Sequence, residues 1–330
     1  MTTPKEHFMN YYTGKPMERF PNVMTDTNVL CSPSLSITAL NERGPNDMGG
    51  KDWYGSWWVY DAINDAPVPD TSKPPVLTDI TEWRGQLTFP DVDAIDWEAN
   101  AKKDGVGEFD PDKANFYMLC EGPFERLHTL MGFEEALCAM ATEPESVAEL
   151  FNAIMDVKLR CIDAVVKYYK ADVINFHDDW GTQINLFFSP EMWRELLKPQ
   201  IKKAVDRCHL YKVPFELHCC GKIEKIIPEL VDIGVDSIQC QGINNIAAMK
   251  KITGDKIGYT VSPRYQEWVV LDELGQLTEE KARKMLRDEI ETEAVGGRYY
   301  SFFWPLKAWW LDAVNDEIEK AGKDIYGYRD

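Results

Sequence analysis

The chain has no apolar run that reaches the ~18 residues of a membrane-spanning helix, so no membrane partner is expected. Its start, Met1-Thr2-Thr3-Pro4-Lys5-Glu6-His7, has no apolar core of a secretory signal, so cytoplasm is the expected compartment. Basic residues are scarce: 36 Lys+Arg face 55 Asp+Glu, a formal net charge of −19. That balance argues against nucleic acid and anionic membranes as partners and disfavours a highly carboxylated substrate. Gly-x-Ser-x-Gly, His-Glu-x-x-His, P-loop and Cys-x-x-Cys motifs are all missing. No glycine-rich loop follows any apolar run, which removes the best cue for a dinucleotide fold. The eight cysteines do not fall in turn-rich loops. They read as free thiols or metal ligands, not as a disulfide framework.

What is present is a large core. Apolar residues make up 44% of the 330, with eleven tryptophans. Residues 1 to 110 are irregular and rich in Pro, Gly, Asp and Trp, and Pro67 to Pro75 excludes a helix or a central strand. From about 115 onward, short apolar runs alternate with long amphipathic segments, the pattern of a parallel sheet. The strand candidates are 116–120, 173–177, 215–218, 237–240, 257–261 and 299–303, with more strand material at Val23-Met24-Thr25. Thr142 and Glu145 suggest a capping box for a helix to Tyr169. Ser189-Pro190 starts another to His209, and Thr278 a third, ending near Gly296. The expected fold is an α/β (β/α)₈ TIM barrel. It forms a single domain over 1–330, with residues 1–110 supplying loops and insertions over the barrel mouth.

In such a barrel the chemistry sits past the C-terminal ends of the strands. Leu217-His218-Cys219-Cys220-Gly221 occupies one such end. Side chains alternate along a strand, so His218 and Cys220 share one side and Cys219 takes the other. An imidazole and a thiolate together can hold Zn²⁺; the same residues also read as a buried thiol pair beside a structural histidine. Cys240 ends the next strand, about 5 Å away, and is the candidate third ligand. Phe176-His177-Asp178-Asp179-Trp180 places two carboxylates beside an imidazole, a proton donor or a support for a metal ligand. Glu121 lies at a further strand end, before a Pro-started helix. Trp180, Tyr259 and Trp304 are candidates for lining a flat substrate, although Trp304 reads more readily as ordinary packing.

The combination of His218 to Gly221, the acidic strand end at Asp178, Glu121-Gly122-Pro123-Phe124 and Ser189-Pro190 to Pro199 resembles the uroporphyrinogen decarboxylase superfamily. It resembles in particular the branch of corrinoid-dependent methyltransferases, the methyltransferase I component of O-demethylases. The resemblance implies a TIM barrel in which a His-x-Cys pair and a later cysteine hold zinc. His218 and Cys220 match the pair. The later cysteine of the family falls on the last strand, which here reads Tyr299 to Trp304 without one. Cys240 then stands in, with Glu121 or Asp178 as the fallback. The true decarboxylases hold substrate carboxylates with arginines near the N-terminus, and residues 21–28 contain none.

The implied function is transfer of a methyl group from a small methylated substrate, such as an aryl methyl ether, to the cob(I)alamin of a partner corrinoid protein. Zinc or a proton donor (Asp178, His177 or Glu121) would assist the leaving oxygen. The alternatives are a methylcobalamin:thiol methyltransferase, a uroporphyrinogen decarboxylase-like decarboxylase, and a non-catalytic corrinoid-protein-binding module. A homodimer is compatible with each.

Overall fold

The computed structural model describes residues 2–30, 49–61, 66–296, 298–302 and 308–327. Strands run β1 (Thr27–Leu30), β2 (Gly49–Lys51), β3 (Trp57–Asp61), β4 (Ala66–Pro69), β5 (Ala114–Leu119), β6 (Val173–His177), β7 (Phe215–Cys219), β8 (Ser237–Gln241), β9 (Gly258–Ser262) and β10 (Tyr299–Ser301). Seven form one sheet in the order β1-β5-β6-β7-β8-β9-β10, every neighbour parallel. The other three make a small antiparallel sheet, β2-β3-β4.

The large sheet is curled. Phe8, in the helix Pro4–Thr13, touches Phe116 of β5 and Tyr300 of β10, with ring centroids 5.9 and 6.5 Å away. Strands far apart in the order therefore converge on one side chain. The sheet has seven strands among the described residues, and its end strands β1 and β10 are not paired with each other there. The fold is thus an α/β curl of parallel strands of the TIM-barrel type, and the described residues stop short of the eight-stranded closure expected.

Parallel strands are covered on both faces, which is why β6 is buried at all five positions. The outer face packs on amphipathic helices. Helix Pro144–Tyr168 buries Val147, Leu150, Phe151, Ile154, Val157, Cys161 and Val165, the stripe its periodicity predicts. The inner face is polar for a barrel, where Val, Ile and Leu usually dominate: Asn175, Glu216, Ser237, Gln239 and Thr260 are all buried. Helix Pro4–Thr13 closes the strand N-terminal end. Its Tyr11 hydroxyl bonds Ser237 and Thr260, and its Tyr12 hydroxyl donates to Glu216. This part of the first 110 residues lies at the end opposite the mouth.

Three local expectations change. Val23–Asp26 is a helical turn capped by Asn22, whose side chain accepts from the Met24 and Thr25 amides; the strand begins at Thr27. Thr142 ends the preceding helix, with its hydroxyl bonded to Cys138 O, so no Thr142 capping box forms and the next helix opens on Pro144. Pro67 and Pro69 do enter a strand, but on the free edge of the small sheet, where a missing N–H costs little. Ser189 and Thr278 cap as expected. Among the described residues no helix is long and apolar enough to cross a membrane.

Candidate metal centre

The site grows from the upper ends of β6 and β7. Alternation along β7 turns Glu216 and His218 inward and Cys219 outward. The Cys219 sulfur accepts from Trp180 N at 3.3 Å, while Cys220 returns to the His218 side, its Sγ 3.3 Å from His218 Nε2. The chain turns at Gly221, where φ is +85° and a Cβ would stand 2.1 Å from the Gly181 carbonyl. Only glycine fits there. The two loops therefore meet backbone on backbone, tied by Lys222 N to Thr182 O.

That contact delivers Asp179. Its Oδ1 accepts the Cys220 amide at 2.6 Å and lies 3.7 Å from His218 Nε2. Asp179, His218 and Cys220 offer one oxygen, one nitrogen and one sulfur, all within 4.8 Å of one another. Ligands on metal bonds of about 2.0–2.3 Å in a tetrahedral site stand about 3.3–3.8 Å apart, so the spacing suits a small divalent cation. The three are partly exposed at the mouth. Burial, followed by the Asp179 charge, pushes the Cys220 thiol well up, so the free thiol is neutral and cation binding would displace its proton.

The expected third ligand, Cys240, is placed elsewhere. It pairs in register with Cys219, on the face opposite Gln239 and His218. It lies buried, with its thiol also raised by burial. Asp178, the expected fallback and proton donor, is a structural staple. Its Oδ1 accepts Glu125 N, and its Oδ2 accepts Phe124 N and Trp180 Nε1, across the N-terminus of helix Pro123–Met131. Gly122 packs so close that a Cβ would lie 2.5 Å from Asp178 Cβ. Full burial lifts Asp178 to about 7 against those three hydrogen bonds. Glu121, buried with φ of +59°, accepts from Thr129 Oγ1 on the same helix.

His177 does reach the centre: its ring stacks on His218 with centroids 4.1 Å apart and planes 15° apart. Trp180 is fully buried against Trp193, and Tyr259 is buried with its hydroxyl on Thr253, so neither is available to line the mouth. Trp304 lies outside the described residues. Sequence reasoning noted Asp179 only as the neighbour of Asp178 and missed Gln239, whose Oε1 meets His218 Nδ1 at 2.6 Å. The available signal was a glutamine two positions after Ser237, on the same side of the strand.

Residues 103–289, more than half of the chain, match the family model of uroporphyrinogen decarboxylase (URO-D). The chain belongs to that family. No curated protein matches it. Among solved structures, a methyltransferase from Methanosarcina mazei superposes with a TM-score of 0.66 over 98% of this chain and 99% of that one, at 16% identity. This likeness establishes the shared fold. An archaeal fructose 1,6-bisphosphate aldolase aligns over 50% of this chain and 62% of its own, at TM-score 0.33 and 14% identity.

Proposed function

We propose that the protein is a methyltransferase that takes a methyl group from a small methylated substrate, such as an aryl methyl ether, and passes it to the cob(I)alamin of a partner corrinoid protein. The observation that carries this reading is the convergence of Asp179, His218 and Cys220 at the strand ends, where this fold places its chemistry. The full-length likeness to a methyltransferase is consistent with it.

In the reaction, the corrinoid of the partner would supply the nucleophile that accepts the methyl carbon. The carbon–oxygen bond breaks, and the oxygen keeps its pair and takes a proton. His218, Cys220 and Asp179 would hold zinc, which supplies Lewis-acid polarisation of the ether oxygen. Three protein donors would leave room for substrate at the ion, as in catalytic sites. Of the three proton-donor candidates, His177 is the one whose ring stacks on a ligand, and we assign it that role. Asp178 and Glu121 instead fix helix Pro123–Met131 against the strand ends.

Porphyrin decarboxylation fits less well. Arg19, the arginine nearest residues 21–28, is held in a bidentate ion pair with buried Asp26. The test has two parts. Wild-type protein should retain stoichiometric zinc that His218→Ala loses. Mixed with reduced corrinoid protein and methylated aromatics, it should consume the cob(I)alamin absorbance. Wild-type protein that holds no metal and leaves that absorbance untouched would end the proposal.

A further inference from the structure

The imidazole of the candidate centre is joined to the floor of the curl by an unbroken hydrogen-bond column. Glu216 Oε2 accepts from Tyr12 and Thr260, at 3.1 and 2.8 Å. Glu216 Oε1 accepts from Asn175 Nδ2 at 2.9 Å. The same Nδ2 faces Gln239 Oε1 at 3.3 Å, and that oxygen meets His218 Nδ1 at 2.6 Å. Asn175 Oδ1 meets His177 Nε2 at 2.6 Å. Asn175 and Glu216 are completely buried and Gln239 nearly so, which leaves the amides no water to turn toward.

The column has a direction. Tyr12 and Thr260 both donate to Glu216 Oε2, which marks the group as the acceptor of the column, so the Asn175 group facing Oε1 is the NH₂. Gln239 must then show Asn175 its oxygen, because two NH₂ groups face to face cannot bond. An oxygen at that place can only receive a proton from His218 Nδ1. His218 is thereby left with an unprotonated Nε2, the nitrogen that faces Cys220 and Asp179. The opposite tautomer would put N–H where a cation belongs.

We infer that Glu216 is a positioning residue for the centre: through Asn175 and Gln239 it fixes His218 as the Nδ1–H tautomer and presents Nε2 for ligation. This rests on the metal reading above for its purpose but not for its geometry. Glu216 acts from the floor of the curl without touching metal or substrate. Partners that orient a ligating histidine typically contribute about 10–100-fold to metal affinity, and Glu216, two links removed, is expected at about tenfold.

The tautomer is read directly by long-range proton–nitrogen spectra of ¹⁵N-labelled, metal-free protein, with His218 assigned by its loss in His218→Gln. Wild type should show Nδ1 protonated and Nε2 bare; a protonated Nε2 in wild type would overturn the inference whatever the variants do. Glu216→Leu should give mixed tautomers and about tenfold weaker zinc binding. Glu216→Gln, which can still turn an oxygen toward Asn175, should restore both. A folded Glu216→Leu protein with the wild-type tautomer and wild-type zinc affinity would also refute it. Because the spectra need no metal, they judge the positioning role separately, while the zinc titration of wild type judges the metal reading.

Discussion

At the residue scale, Cys240 and Cys220 differ by which side of their strands they occupy. Cys240→Ser should leave bound zinc at the wild-type level, whereas Cys220→Ser should lower it at least tenfold, both by metal analysis after dialysis. Asp179→Asn, which keeps the size and the amide-accepting oxygen but drops the charge, should fall between them. A second residue-scale prediction concerns Glu289 and Glu293 in helix Glu279–Glu293. Burial lifts them to about 7 and about 8. A carboxyl raised on folding contributes stability that is fully present below its unfolded pKa, about 4.3, and is lost as pH rises through the folded value. Glu293→Gln should therefore flatten the fall in melting temperature between pH 5 and 8 and raise it at pH 8.5. Lys250 works in the opposite direction: burial lowers it to about 8, so its contribution fades as pH drops through that value. Thermal scans of Glu293→Gln from pH 5 to 8.5 and of Lys250→Met from pH 7.5 to about 10.4 separate the two.

At the element scale, a buried ion pair beside the small sheet ties it to the curl. Arg126 of helix Pro123–Met131 meets Asp52 at 2.6 Å, both side chains fully buried. Trp58 Nε1 also bonds Asp52, and the Tyr54 ring lies 4.5 Å from the guanidinium carbon. Asp52→Ala strands a buried cation and should cost about 3–5 kcal/mol in urea unfolding. Asp52→Leu combined with Arg126→Met should recover most of it. The strands after residue 110 were legible because each is a short apolar run closed by a turn, and β6 to β9 lie within a residue or two of their expected bounds. The alternation that splits Cys219 from Cys220 was legible for the same reason. The ligand set was not. Whether Asp178 or Asp179 faces His218 depends on a backbone contact between Gly181 and Gly221, forty residues apart, that no local pattern encodes. Cys240 misled because proximity of strand ends was read without the register that turns it outward.

At the scale of the whole molecule, a net charge of −19 makes the folded state repel itself. Screening this repulsion should raise the melting temperature by a few degrees between 10 and 200 mM sodium chloride, as calorimetry can record. The partial exposure of Asp179, His218 and Cys220 leaves the upper strand ends open to solvent. At the opposite end, helix Pro4–Thr13 buries Phe8, Tyr11 and Tyr12 against the strands.

That arrangement has a consequence for synthesis. Tyr11 is hydrogen-bonded to Thr260 across 249 positions of chain. A ribosome must finish most of the polypeptide before the first helix can find its seat. Until then Phe8, Tyr11 and Tyr12 remain uncovered on the nascent chain, the kind of surface chaperones hold. Organisation of the inner amides, and with them the histidine that they orient, waits on a late event in the life of the molecule.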